Sequence, residues 1–231
     1  MSVFQNTIRD LTEIARRSPR VCVAYSGGKD SLAVIDLCSK LFSEVVAFQW
    51  FCVSGLEVCE APLRMAKVKW GVDVMRIPHW DMVNAMKSGV WCDATPAFDG
   101  IPDLDLKRGY AFALASCEAQ ICATGMKEAD GMQRRQFFAN IRDSKDPVWR
   151  KLIHPCREWT KRQVEDYLKS NGIELPRIIG GTISGGVGLT HRSICWMHDN
   201  AKEDYAKFLK WYPYAEAAIK RREWFGVGKA A

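Results

Sequence analysis

The 231-residue chain has no apolar run of membrane-spanning length, no C-x-x-C pair and no internal repeat. Without the first, no stretch is expected to cross a bilayer as a helix. Residues 1–20 mix charged with apolar side chains and lack a signal-peptide core, which reads as cytosolic. The nine cysteines are odd in number and scattered, unlike the compact framework of a secreted disulfide scaffold. Their spacing also argues against a zinc ribbon or a cluster built on a tight cysteine pair, since Cys52 and Cys59 lie seven apart and Cys117 and Cys122 five. The lack of a repeat sets aside a solenoid. Two familiar phosphate-binding spacings, G-x-x-x-x-G-K-[ST] and G-x-G-x-x-G, are missing as well.

What is there is an enzyme-sized chain, 48% hydrophobic, enough for one sizeable α/β core with a small appendage. The net charge of +6 suits polyanionic substrates such as nucleotides and is compatible with nucleic acid, although most basic residues of such a chain are solvated surface. Cys22, Cys38 and Cys117 fall in expected strands and helices as small buried hydrophobes.

The most informative stretch is residues 21–38. Val21, Cys22, Val23, Ala24 and Tyr25 make an apolar run suited to a strand buried on both faces of a parallel sheet. From Leu32 the period becomes helical, through Ile35 and Leu37, with Asp30 or Ser31 as the cap. Between the two, Gly27 and Gly28 let backbone N–H groups converge on an anion at the positive end of the helix. Lys29 adds a point charge, and Ser26 and Ser31 add rotatable hydroxyl donors.

Helical spacing also marks residues 3–17, with Ser18 and Pro19 as the stop. A second strand over 45–51 completes a βαβ unit around the glycine loop. Then come a helix over 61–70 begun near Pro62, a strand over 72–79, a loop over 88–108, a helix over 107–118 and a strand over 120–124. Residues 125–135 leave the carboxyl end of that strand, where open α/β sheets bind ligands. Arg134 and Arg135 are placed there to grip a phosphate or sulfate, and Lys127 to add diffuse charge. A short strand closing at His154 and Pro155, a capping box at Thr160 and Gln163 before a helix over 164–171, and a stop at Gly172 follow. Residues 180–188 are too glycine-dense for a helix and read as a substrate loop or a series of tight turns, and from Cys195 the chain returns to helix. The expected fold is a three-layer α/β/α domain with a mostly parallel, Rossmann-like sheet. Residues 1–175 form its nucleotide-binding part, and residues 176–231 a glycine-rich loop and helical segment packed on it.

Ser26-Gly27-Gly28-Lys29-Asp30-Ser31 resembles the S-G-G-x-D-S pyrophosphate loop of the adenine-nucleotide α-hydrolase superfamily. Ser54-Gly55-Leu56-Glu57 is similar to a D-T-G-like turn, and residues 125–135 to a G-x-R-x-x-E-S-x-x-R segment. Residues 155–167 are similar to P-L-x-x-W-x-x-x-x-V-x-x-Y, with Trp159, Val164 and Tyr167 matching. Together, over residues 20–200, these segments resemble the phosphoadenosine phosphosulfate reductase family. Two features of reductase members are absent: the E-C-G-L-H nucleophile motif, and the cysteine pair and C-x-x-C of cluster-bearing members. The intact loop with Lys29 is more typical of members that use ATP.

The resemblance implies a PP-loop enzyme that binds ATP and Mg²⁺, with no iron–sulfur cluster or zinc. It implies action at the α-phosphorus to adenylate an acceptor, in sulfur transfer or in nucleotide or nucleic-acid modification. Lys29, Asp30, Arg134 and Arg135 are the implied catalytic groups, with Asp30 also a Mg²⁺ ligand. The nucleotide is expected to meet Tyr25, Ser26, Gly27, Gly28, Lys29, Asp30, Ser31, Gln49, Trp50, Phe51, Gly125 and Lys127. Cys195, in H-R-S-I-C-W-M-H, is the candidate thiol for an alternative, a thiol-dependent reductase releasing sulfite. His191, Arg192 and His198 can lower its pKa if they face it, and ordinary packing is the competing reading. A third alternative is a non-catalytic nucleotide- or nucleic-acid-binding component. The acceptor, the sulfur donor, a partner protein and a homodimer stay open, and His79 and His154, each near a proline, read as structural.

Overall fold

The computed structural model describes residues 2–174 and 188–226; the glycine-dense run apart from Gly188, and the boundary expected at 175/176, lie outside them. The fold is built on β1 (Arg20–Ala24), whose alternating side chains enter two cores. Val21 and Val23 face one and Cys22 the other. β2 (Glu44–Phe51) and β4 (Cys122–Ala123) flank β1, with β3 (Val74–Pro78) and β5 (Leu152–Ile153) at the edges. Every pairing is parallel, and the register sets Cys22 opposite Val46 on one side and Cys122 on the other. In the order β3-β2-β1-β4-β5 the direction of winding reverses between β1 and β4. That reversal opens a crevice at the carboxyl ends of those two strands.

Helices form the outer layers. α1 (Val3–Arg17), α2 (Lys29–Leu41), α3 (Glu57–Trp70) and α7 (Lys161–Ser170) cover Val21, Val23 and Ala47 on one face. α5 (Leu106–Ser116) covers the other, with Tyr110, Ala113 and Leu114 in one cluster with Cys22, Phe48 and Leu152. α2 is buried from Ser31 to Cys38, as suits a helix between a sheet and a further helical pair. α1 has the expected bounds, opened by a capping box of Ser2 with Gln5, and the box of Thr160 with Gln163 is present at the start of α7. No helix among the described residues is long and apolar enough to cross a membrane.

Two parts differ from expectation. α3 begins at Glu57, with Pro62 inside it rather than at its start. Its first turn is held from far away in the chain: Asp204 accepts hydrogen bonds from the Glu57 and Val58 N–H groups, each at 2.8 Å. Asp204 lies in α9 (Lys202–Trp211), so nothing local in the sequence marks the start of α3. The second difference is α4 (Trp80–Ser88), a helix no motif announced, capped by His79 Nδ1 accepting from the Asp81 N–H. α8 (His191–Asn200), α9 and α10 (Glu216–Phe225) enclose a further core with Val53 and Leu56 from the β2–α3 connection, Val58 of α3 and Ala85 of α4.

Asp36 in α2 fastens three helices of one layer. Its carboxylate accepts hydrogen bonds from Lys40 Nζ at 2.6 Å, Tyr167 Oη at 2.6 Å and Trp70 Nε1 at 2.9 Å. Burial pushes the pKa of this carboxyl up, but the hydrogen bonds from Lys40, Tyr167 and Trp70 outweigh it and hold the group below the ordinary carboxylate value. A carboxyl whose pKa is lower folded than unfolded contributes stability above the unfolded value, about 3.9, and that contribution is lost as pH falls. Asp36→Ala strands the buried Tyr167 and Trp70 donors. It is expected to cost about 3 kcal/mol in urea unfolding at pH 7, with the gap to wild type narrowing below about pH 4. An equal cost at both pH values would refute the charged network as its source.

Candidate nucleotide site at the strand-order reversal

β1 ends at Ala24, and the chain turns through Gly27, at φ 76°, into α2. An L side chain rarely adopts that φ, so the turn calls for glycine. The N-cap of α2 is Gly28, and no side chain caps the helix, which leaves its first-turn N–H groups available to an anion. Asp30 and Ser31 are therefore not the cap that the sequence pattern indicated. Ser31 Oγ donates to the Gly28 carbonyl at 2.9 Å and lies 3.3 Å from Ser26 Oγ, so the two hydroxyls brace the turn. Asp30 is an ion-pair partner: Lys29 Nζ stands 2.8 Å from Oδ2, and Lys127 Nζ 2.7 Å from Oδ1.

Lys127 arrives from the loop after β4. It is 0% exposed, and its ammonium also lies 2.8 Å from Asp130 Oδ1. Burial pulls its pKa down, but contacts with Asp130 and Asp30 outweigh burial and raise it above the ordinary lysine value, so the ammonium stays protonated. The expectation of diffuse surface charge is thereby replaced by a buried cation between two carboxylates. Asp130 was not anticipated; its one sequence signal is its place three residues after Lys127. Gly125 closes the crevice from the same loop. A Cβ there would lie 3.1 Å from the Asp30 carbonyl carbon and Cβ and from the Ser31 nitrogen.

The other expected residues are dispersed. Tyr25 is buried, and its hydroxyl donates to the Pro62 carbonyl at 2.9 Å, which makes it a brace between β1 and α3 rather than a ligand contact. Gln49, Trp50 and Phe51 are the last residues of β2, so their side chains alternate and cannot line one surface. Trp50 packs edge-on against Phe48, Trp80 and Tyr110, while the Arg76 guanidinium lies 5.0 Å over the Phe51 ring. Gln49 is buried, and its Oε1 lacks a hydrogen-bond partner. Arg134 and Arg135 are exposed, in the first turns of α6 (Met132–Ile141). Neighbours along a helix diverge, so the two cannot close on one anion side by side. Arg134 is the one turned toward the loop, with Nη1 3.1 Å from Met126 Sδ.

Cys195 lies inside α8 rather than before a helix, and it is 4% exposed. Its Sγ is 3.8 Å from His191 Nδ1 and 3.7 Å from the Ala218 carbonyl oxygen. His198 is bonded to Asp199 and Arg192 is exposed, so neither activates the thiol. Burial raises the Cys195 pKa despite Arg222 nearby, which opposes the thiolate that a working cysteine needs. His154 follows β5, with Nδ1 2.7 Å from Thr124 Oγ1, and burial together with Arg157 and Arg134 lowers its pKa to about 4. It is a neutral imidazole across the physiological range.

An uncapped glycine turn at the reversal point of a doubly wound parallel sheet defines the class, the PP-loop α/β proteins. The chain belongs to the phosphoadenosine phosphosulfate reductase domain family, whose sequence profile matches residues 20–181. In fold it is similar to the U34-tRNA thiolase NcsA from Methanococcus maripaludis, a structure that holds a 4Fe-4S cluster. That likeness has 12% identity and a TM-score of 0.53, covering 96% of this chain and 80% of that one. It is likewise similar to the NH3-dependent NAD synthetase from Campylobacter jejuni in complex with a nitrate ion, at 10% identity and a TM-score of 0.51, covering 99% and 96%. No curated protein matches the chain.

The thiolase overturns one expectation. A chain of this fold carries a 4Fe-4S cluster, so the missing C-x-x-C pair does not exclude a cluster on this scaffold. Among the described residues no three His, Cys, Asp or Glu side chains stand together as a metal-ligand set, and no cluster chemistry is assigned to them.

The close approach at Gly125 gives a direct test of the crevice. Gly125→Ala is expected to weaken binding of inorganic pyrophosphate about tenfold in calorimetry, because backbone atoms of Asp30 and Ser31 must shift, while the melting temperature changes little. Unchanged affinity would place the anion away from this loop.

Proposed function

We propose that the protein is an ATP-using enzyme that cleaves at the α-phosphate and leaves AMP on an acceptor. The observation that carries this reading is the unaltered loop 26–31, with Gly27 at positive φ and α2 open at its N-terminus, facing the Lys127 ammonium across the crevice. In this reading the β- and γ-phosphates lie on the first-turn N–H groups of α2, with Lys29 beside them. Phosphate oxygens compete with Asp30 and Asp130 for the two ammonium groups. Asp30 and Asp130 suit Mg²⁺, a hard cation that commonly takes one or two carboxylates together with substrate phosphates. When bound, that ion neutralises charge on the pyrophosphate leaving group. An acceptor oxygen attacks the α-phosphorus in line, the bond to the bridging oxygen breaks, and pyrophosphate departs; the protein's part is positioning and charge. The family's sulfonucleotide chemistry finds less support, because the buried, pKa-raised Cys195 makes a poor nucleophile.

Titration with ATP in a calorimeter, with and without Mg²⁺, tests the reading. Saturable binding strengthened by Mg²⁺ is expected. Lys29→Ala should cost about tenfold or more in affinity, and Asp30→Asn should remove most of the Mg²⁺ effect. Mass analysis with the right acceptor should find pyrophosphate and transferred AMP. No ATP binding under either condition would sink the proposal.

A further inference from the structure

Positive charge is gathered, and left uncompensated, along one exposed stretch of the chain. Between the start of α6 and the start of β5 the chain carries Arg134, Arg135, Arg142, Lys145, Arg150 and Lys151, against only Asp143 and Asp146. All six basic residues are exposed. None of them forms an ion pair among the described residues, and Asp146 is taken by Lys107 of α5, which fastens the two elements together. Elsewhere cations commonly have carboxylate partners, as Arg76 has Glu60, Arg157 has Glu128 and Arg222 has Asp199. For a chain of net charge +6, this stretch holds a large share of the excess.

Exposed apolar side chains accompany the charge. Phe112 is 58% exposed on α5, one helical turn beyond the exposed Arg108, and Met132 is 75% exposed at the start of α6. Like charges crowded into one exposed stretch repel one another in the isolated protein, and an anionic polymer relieves that repulsion. The cations are strung along the chain rather than gathered in a pocket: most of α6, itself about 15 Å long, separates Arg134 and Arg135 from the other four. A single small nucleotide cannot reach along such a strip. A sugar–phosphate backbone can, with bases free to stack on exposed apolar groups.

We propose that the exposed basic surface of α6 and of the connection from α6 to β5 docks the sugar–phosphate backbone of a nucleic acid and leads the strand to the carboxyl end of β4, beside loop 26–31. Making that nucleic acid the acceptor rests on the proposed function; the binding itself does not.

Fluorescence anisotropy of the full chain with labelled single-stranded RNA, hairpin RNA and duplex DNA tests the face. Affinity is expected to fall with salt, with a log–log slope of about −0.7 per phosphate contacted for a single strand and about −0.9 for duplex. Preference for an RNA or a DNA probe identifies the source of the backbone, and either supports the proposal. The triple variant Arg142→Gln, Lys145→Gln, Arg150→Gln is expected to lose about tenfold or more in affinity and about 2 in slope, with ATP binding and melting unchanged. Equal charge removal on α7, by Lys161→Gln, Arg162→Gln and Lys169→Gln, is expected to change affinity less than about twofold. Absence of binding to all three probes, equal loss in both triple variants, or equal affinity for polyglutamate overturns the proposal. Binding of ATP without nucleic acid removes the docking face and leaves the reaction standing; binding of nucleic acid without ATP does the converse.

Discussion

The ion pair between Asp30 and Lys127 joins the first turn of α2 to the loop after β4, and the crevice depends on it. A fully buried ammonium is tolerated only beside opposite charge, and removing one partner of such a pair costs on the order of 3–5 kcal/mol. Lys127 therefore holds Asp30 on one side and Asp130 on the other. The pairing brings the loop after β4 close against the first turn of α2, and the approach in turn favours glycine at 125, where a Cβ would press on the Asp30 backbone. Charge, distance and residue size at three positions are thus one constraint.

Two further buried carboxylates hold the elements around that crevice. Asp36 ties α2 to α3 and α7, which fixes the direction in which α2 presents its open N-terminus. Asp204 fills the N-terminus of α3, so the C-terminal helices pin the connection that leaves β2. The contrast between α2 and α3 is informative. Both helices start at the carboxyl edge of the sheet; one has its first-turn donors occupied by a carboxylate of the same chain, and the other has no side-chain cap, the arrangement that suits an anion.

The local parts of this design are legible in the sequence. β1, the glycine turn, α2, α1 and the capping box of α7 each follow from short-range pattern and are present, although α2 starts at Lys29, ahead of the cap expected at Asp30 or Ser31. What depends on distant residues is not legible. The start of α3 is set by Asp204, some 150 positions away along the chain and so without local signature. Lys127 was expected to add diffuse charge because its carboxylate partner Asp30 lies in α2, far away along the chain. The residues at the end of β2 were grouped by adjacency, although the pleat sends neighbours to opposite faces. Arg134 and Arg135 were paired for the same reason, although a helix separates consecutive side chains.

The thiols and the cations point the chemistry in opposite directions. All nine cysteines are buried, and burial pushes Cys52 and Cys156 up to about 12. The reactive form of cysteine is the thiolate, so these side chains are poorly suited to attack sulfur or carbon from within the fold. Lys29 and Lys127, in contrast, stand at the open end of α2, where negative charge is stabilised as it develops. On the proposed reading, a protein arranged in this way works on phosphate charge and takes its nucleophile from outside. On the same reading the acceptor is therefore a reactant delivered to the crevice, and the uncompensated basic stretch from Arg134 to Lys151 has the charge and reach to deliver it.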